Sequence, residues 1–216
     1  LAAFHRARTG KRHRESVDRF SFDLERNLFD LQKRLRDGSW EPGPFREFEI
    51  REPKLRRIAA APFPDRVVHH SLIGVLEPHF ERWFDPDSYA CRKRKGLDAA
   101  LTRAQRLSCT SEWVLKSDIQ RCFPSIGHDV VTGLLERRVK DRRLLDVFAR
   151  SVAHAGADGR GLPIRNLTSQ WLANFVLDAM ERGTLYFPSS DHSTFGIMYQ
   201  QAVRAERPDL VLADKY

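Results

Sequence analysis

The stretch that most constrains the chain is Trp113-Val114-Leu115-Lys116-Ser117-Asp118-Ile119-Gln120-Arg121-Cys122-Phe123-Pro124-Ser125-Ile126-Gly127-His128-Asp129. It opens as a short apolar run and ends in a carboxylate. Val114, Leu115 and Ile119 suit a buried strand that Pro124 and Gly127 bring to a close. Asp118 then stands at the strand's end, where a scaffold can present a charge to a cleft. A hard cation such as magnesium takes oxygen ligands of this kind, commonly one or two carboxylates beside substrate phosphates. Phe123, five residues on, lies in the turn leaving the strand, where its ring could wall a pocket. Taken alone, an Asp after a strand is more often a cap or a turn residue.

Its neighbours shift the balance. Asp118-Ile119, Phe123, Ser125-Ile126 and His128 resemble the first catalytic motif of reverse transcriptases, Asp-Ile-x-x-x-Phe-x-Ser-Ile-x-His. Ser88-Tyr89-Ala90-Cys91-Arg92-Lys93-Arg94-Lys95-Gly96 is similar to a second family segment. Gly161-Leu162-Pro163-Ile164-Arg165-Asn166-Leu167-Thr168-Ser169-Gln170, followed by Ala173-Asn174-Phe175, is similar to the motif that grips the template. The three occur in one colinear order over about residues 45–182. The chain thus resembles the bacterial branch of the family: retron, group II intron and diversity-generating retroelement enzymes.

The resemblance implies an α/β (α+β) fold, helix-rich with a small antiparallel sheet: reverse-transcriptase fingers and a partial palm. It divides the chain into a basic tail (1–15), a fingers region (16–110), a partial palm (111–183) and an atypical C-terminal tail (184–216). It implies templated DNA synthesis on RNA, with Mg2+ held by Asp118 and the backbone carbonyl of Ile119. Lys54 and Arg56, in Pro53-Lys54-Leu55-Arg56-Arg57-Ile58, would contact the incoming deoxynucleoside triphosphate. Phe123 would exclude a ribose 2′-hydroxyl, and Gln170 would help support the nascent base pair. Arg92, Lys93, Arg94, Lys95, Arg165 and Asn166 would meet the RNA template and the DNA primer or product. An accessory protein is also compatible with the family.

Two departures stand out. Arg165 occupies a place where the pattern expects Gly. A side chain there restricts close approach by another chain, or adds a phosphate contact. The family also carries a Tyr-x-Asp-Asp hairpin that supplies two further carboxylates, and no such sequence occurs here. After Gly183 only scattered Asp191, Asp209 and Asp214 follow. The isolated chain is therefore expected to be inactive, and the start at Leu1 reads as a fragment. The alternative is a non-catalytic nucleic-acid-binding module that uses the same basic cleft, and a plain scaffold ranks third.

Composition fits a polyanionic partner without naming one. Lys and Arg number 37 against 29 acidic residues, a formal charge of +8 over 216 residues. Three widely spaced cysteines argue against a disulfide framework and for a reducing, cytoplasmic compartment. No apolar run approaches the roughly 20 residues of a membrane span.

The remaining pattern is local. Residues 1–15 read as a solvated basic tail or a phosphate-contacting arm. Ser16 is placed to cap a helix carrying Val17, Phe20, Leu24, Leu28, Leu31 and Leu35, which Gly38 ends. Phe48 and Ile50, then Leu55 and Ile58, predict a β-hairpin. Asp65 is placed to cap a helix whose inner face holds Val67, Val68, Leu72, Val75, Leu76 and Phe80. His69 and His70 read as packing residues, since adjacent helical residues point about 100° apart. Further helices are expected after Gly96, His128, Asp141 and Asn166.

Overall fold

The computed structural model describes residues 1–52, 54–110, 122–154, 158–163 and 166–178. The described residues fall into two compact units, one drawn from Leu1–Phe84 with Arg121–Met180, the other from Asp85–Gln120. The fold is helix-rich with a small two-stranded antiparallel sheet, as the α+β reading expects.

In the first unit, α1 (Ala2–Arg8), α2 (Glu15–Phe22) and α3 (Leu24–Asp37) precede the hairpin β1 (Arg46–Glu52) and β2 (Lys54–Ala60). The hairpin is in register, with Phe48 opposite Ile58 and Ile50 opposite Arg56. Alternation turns Ile58 into the core and Leu55 outwards, while Phe48, on the same face as Ile58, stays 41% exposed. The long α4 (Phe63–Trp83) follows, then α6 (Cys122–Ser125), α7 (His128–Arg138), α8 (Arg142–Ala153) and α9 (Leu167–Asp178). Helix α4 is the centre: α1, α2 and α9 pack on it, while α7 packs on α8 and α9.

Several local expectations need correction. Residues 1–8 are not a solvated tail. Phe4 and Ala7 are each 1% exposed, and the Phe4 ring stacks on Phe20 at 6.0 Å and meets Phe63 edge-on at 6.1 Å. Two apolar residues on one turn suffice to dock a short helix when a neighbour supplies the partner rings. The helix anticipated from Ser16 is two helices, because the backbone of Asp23 leaves the helical region at φ −124° and ψ 58°. The Asn27 side chain bridges the break by donating to the Phe20 carbonyl at 3.0 Å. Ser16 lies inside α2, whose N-cap is Arg14. Gly38 does end α3, at φ +75°, a conformation that costs a glycine little.

Asp65 is no cap either. It sits inside the first turn of α4, which begins after Pro62, and its carboxylate accepts a hydrogen bond from the Gly43 amide at 2.8 Å. Burial drives its pKa up, opposed by the Gly43 bond, by His154 and by a bond from Trp40. Val75, placed on the inner face by periodicity, is 63% exposed. Asp141 does start α8, its carboxylate accepting from the amides of Arg143 at 2.9 Å and Leu144 at 3.2 Å. Such a cap contributes about 1 kcal/mol.

The second unit contributes α5 (Leu97–Ser108) and the loop before it. Ala100, not Leu97 or Leu101, is the buried residue of α5; it packs with Tyr89, joined by Ala104 and Leu107. Cys91, Cys109 and Cys122 are all free thiols. Among the described residues no helix is long and apolar enough to cross a membrane.

Candidate nucleic-acid interface

Two of the sequence motifs meet in space. The short helix α6 carries Phe123, whose ring is buried. Its carbonyl accepts from the Leu162 amide at 2.9 Å, and the Ile126 carbonyl accepts from the Gly161 amide at 2.9 Å. The His128 amide donates to the Gly159 carbonyl at 2.9 Å. Across the same junction His128 Nε2 lies 2.8 Å from the Gly161 carbonyl oxygen. A carbonyl can only accept, so this nitrogen carries the proton. Gly159 and Gly161 stand at φ +70° and +100°, where a side chain would strain the backbone. Residues 123–128 and residues 159–162 are thereby fixed to one another, though about 35 residues apart in sequence.

The candidate residues divide by position. Asp118 and Ile119 lie outside the described residues, as does Arg165. Lys54 and Arg56 belong to β2, opposite Glu52 and Ile50. Asn166 precedes α9; its side-chain amide donates to the Ala59 carbonyl of β2 at 3.4 Å, and its carbonyl accepts from the Gln170 amide at 3.2 Å. Asn166 and Gln170 line one cavity of about 230 Å³, together with Lys11, Arg66, His69, His70 and Leu167.

That cavity is lined by two basic side chains, Lys11 and Arg66, and two histidines. Burial lowers the pKa of Lys11, and the nearby charges of Arg66 and Arg14 lower it further. Arg66 is lowered by burial and then by Arg14. His69 is pushed down to about 4 by burial, with His70 and Arg66 adding to it. His70 is likewise pushed down to about 4 by burial, then by Lys11, Arg6 and Arg66. His69 is the packing residue the sequence indicated, whereas His70 is only half-buried. Lys11 belongs to the stretch read as a solvated tail or a phosphate-contacting arm, whereas Arg66 is a lining residue that the sequence reading passed over. The signal for part of the group was available: positions 66, 69 and 70 are spaced i, i+3 and i+4, one face of a helix.

The basic run of the second unit is used differently. Arg92 is 9% exposed, and its guanidinium Nη1 donates to the carbonyls of Asp85 at 2.6 Å and Ser88 at 2.8 Å. Lys95 donates to the Pro86 carbonyl, with its ammonium 4.5 Å from the centre of the Tyr89 ring. The Tyr89 hydroxyl donates to Asp87 at 3.2 Å, and Arg103 forks onto the same carboxylate with two bonds of 2.9 Å. Lys93 and Arg94 are the exposed members of the run. Arg94 adopts φ +59°, a left-handed conformation that costs a residue with a side chain on the order of 1 kcal/mol. Among the described residues no group of three or more His, Cys, Asp or Glu side chains is placed to hold a metal ion.

No family model matches the chain. Curated relatives do. The chain is 24% identical over 181 residues to the group II intron-encoded protein LtrA of Lactococcus lactis subsp. cremoris, a match covering 79% of this chain and 30% of LtrA. It is 24% identical over 167 residues to protein YkfC of Escherichia coli (strain K12), covering 70% of this chain and 44% of YkfC. It is 31% identical over 102 residues to nuclear intron maturase 1, mitochondrial, of Arabidopsis thaliana, covering 46% and 14%. The matched part is less than half the length of each of these relatives. The recognition made on the three motifs is borne out: the chain is a homologue of group II intron-encoded proteins and intron maturases.

Proposed function

We propose that this chain is the fingers and partial-palm part of an intron-type RNA-directed DNA polymerase, binding RNA template and primer and, in the intact family, adding deoxynucleotides. The observation that carries this reading is the junction of α6, His128 and Gly159–Leu162. It joins the stretch leaving Asp118 to the stretch leading into Asn166 and Gln170, as a polymerase that must align a reacting centre with a template requires. The homology to intron-encoded proteins supports the polymerase lineage and does not favour a stand-alone binding module. Lys54 and Arg56 suit the phosphates of an incoming nucleotide, since lysine offers a compact charge and arginine a planar fork. Lys93 and Arg94 suit a nucleic-acid backbone.

Asp118 and the Ile119 carbonyl would hold magnesium. Bound ions in such a site stabilise the attacking and leaving oxygens of phosphoryl transfer. Among the described residues no group of three or more His, Cys, Asp or Glu side chains is placed to add to that set. Because no Tyr-x-Asp-Asp sequence is present, the partner carboxylates are missing. Loss of a single group acting on the transition state commonly costs a factor of about 100–1,000.

The test is primer extension on an RNA template with magnesium and all four deoxynucleotides. No extension is expected from residues 1–216, and none from Asp118→Asn. With a Tyr-x-Asp-Asp hairpin restored, extension should appear and Asp118→Asn should abolish it. Robust extension by the unmodified chain, lost on Asp118→Asn, would falsify the need for the missing pair and point to Asp191, Asp209 or Asp214.

A further inference from the structure

We infer that the cavity lined by Lys11, Arg66, His70, Asn166 and Gln170 is a phosphate-group site, which receives one backbone phosphate of bound single-stranded nucleic acid. Three segments far apart in the chain converge on it: the turn after α1, the first turns of α4 and the start of α9. Each brings a donor suited to an oxyanion: an ammonium, a guanidinium, an imidazole and two carboxamides. No carboxylate lines the cavity. Among the described residues neither Lys11 nor Arg66 forms an ion pair.

Gathering cations in a half-buried place without a counter-charge is unfavourable. The molecule as it stands shows that cost, since Lys11, Arg66, His69 and His70 all have their charged forms disfavoured, in part by one another. Arg6 and Arg14 add to the same positive field. A bound anion would remove the repulsion and turn the arrangement into a set of charge-assisted hydrogen bonds. Size restricts the anion. At about 230 Å³ the cavity falls below the roughly 300–1,000 Å³ of pockets that enclose whole small molecules. It suits one group of a larger polyanion whose remainder lies outside. That the group is a phosphate does not depend on the polymerase reading; that it comes from a polynucleotide rests on it.

The test uses the whole chain and three probes: a 12-nucleotide oligouridylate, thymidine triphosphate and inorganic phosphate. The pKa of the His70 ring is followed by NMR. From its low starting value it should rise by about 1–3 units with the oligouridylate, because an opposite charge within a few ångströms favours the imidazolium. Arg66→Gln should weaken oligouridylate binding. It should also reduce the slope of log affinity against log salt by about 0.7, the share of one single-strand phosphate. Lys11→Gln, which lies outside the helices, should do the same and guards against a folding artefact at Arg66. A His70 pKa unmoved by all three probes overturns the site. So does oligouridylate binding whose slope neither variant changes, although the nucleic-acid reading would then survive. A shift produced by thymidine triphosphate or phosphate alone would keep a phosphate site but overturn the polynucleotide as its source.

Discussion

Helices α4 and α9 meet twice, and the two meetings are chemically opposite. Towards the C-terminal ends, Phe80, Trp83 and Phe84 face Trp171 and Phe175. The ring centroids of Phe80 and Trp171 lie 5.7 Å apart, those of Phe84 and Trp171 5.4 Å, and those of Phe80 and Phe175 5.4 Å. Phe80 is 0% exposed. Towards the N-terminal ends, Arg66, His69 and His70 face Asn166, Leu167 and Gln170 across a cavity. The aromatic end repays the entropy of ordering two helices, because each large ring removes much apolar surface from water. The polar end is less favourable to the fold in isolation, as Arg66 loses hydration and lies near the charges of Lys11 and Arg14. One helix pair thus separates stability from a binding surface, and each end can be perturbed by itself.

The largest effect is expected at the aromatic end. Phe80→Ala should destabilise the chain by about 3–5 kcal/mol, through lost transfer energy and the cavity left among Trp83, Phe84, Trp171 and Phe175. Denaturant unfolding reads this directly. A loss below about 1 kcal/mol would mean that the rings do not carry the contact between α4 and α9.

The next effect belongs to pH and the polar end. His69 is held near 4 in the folded chain against an ordinary 6.5, so between those values the folded state binds fewer protons than the unfolded one. Stability is then fully present above about pH 6.5 and is lost as pH falls towards 4. For the deeply buried His69 the loss is on the order of 3 kcal/mol. His70 acts in the same direction. Asp65, raised by burial, acts in the opposite one: its contribution is present below the ordinary carboxylate value and fades as pH rises through its raised value. Unfolding free energy measured from pH 7 to 4 should therefore decline, and His69→Leu should flatten the decline. A pH-independent curve for the unmodified chain would show that His69 is not held neutral.

A smaller effect sharpens the picture of the polar end. Asn166→Ala removes the bond to the Ala59 carbonyl. At 3.4 Å that bond is long, so a loss of about 0.5–1.5 kcal/mol is expected in thermal unfolding. A loss comparable to that of Phe80→Ala would mean that Asn166 is a structural keystone and would weaken its assignment to ligand binding.

Local signals were legible in the sequence, and distant convergence was not. The hairpin of 46–60, the stop at Gly38 and the start at Asp141 follow from alternation, a left-handed glycine and a capping carboxylate, each decided within a few residues. The docking of α1 rests on Phe4 meeting Phe20 and Phe63, which no local period reveals. The break at Asp23 preserves the apolar spacing on both sides, so periodicity runs straight through it. Arg92 and Lys95 sit in a run that reads as uniformly exposed charge. Their inward bonds depend on carbonyls of 85–88 that a turn brings back to them. The basic cavity draws on positions 11, 66–70 and 166–170, and only its α4 portion left a mark in the spacing. Asp118, Ile119 and Arg165, on which the metal and template readings depend, lie outside the described residues.

The contrast between the two ends reduces to one thermal-unfolding measurement on three proteins, each with and without the 12-nucleotide oligouridylate. The unmodified chain and Phe80→Leu should show the same gain in midpoint on adding RNA, with Phe80→Leu starting lower. Arg66→Gln should start no lower than the unmodified chain and gain less, since a ligand stabilises only in proportion to its affinity for the folded state. The contradicting result is an Arg66→Gln protein that melts well below the unmodified chain without RNA yet gains as much from it. Arg66 would then be part of the fold's support, and the polar end of α4 and α9 would not be where nucleic acid binds.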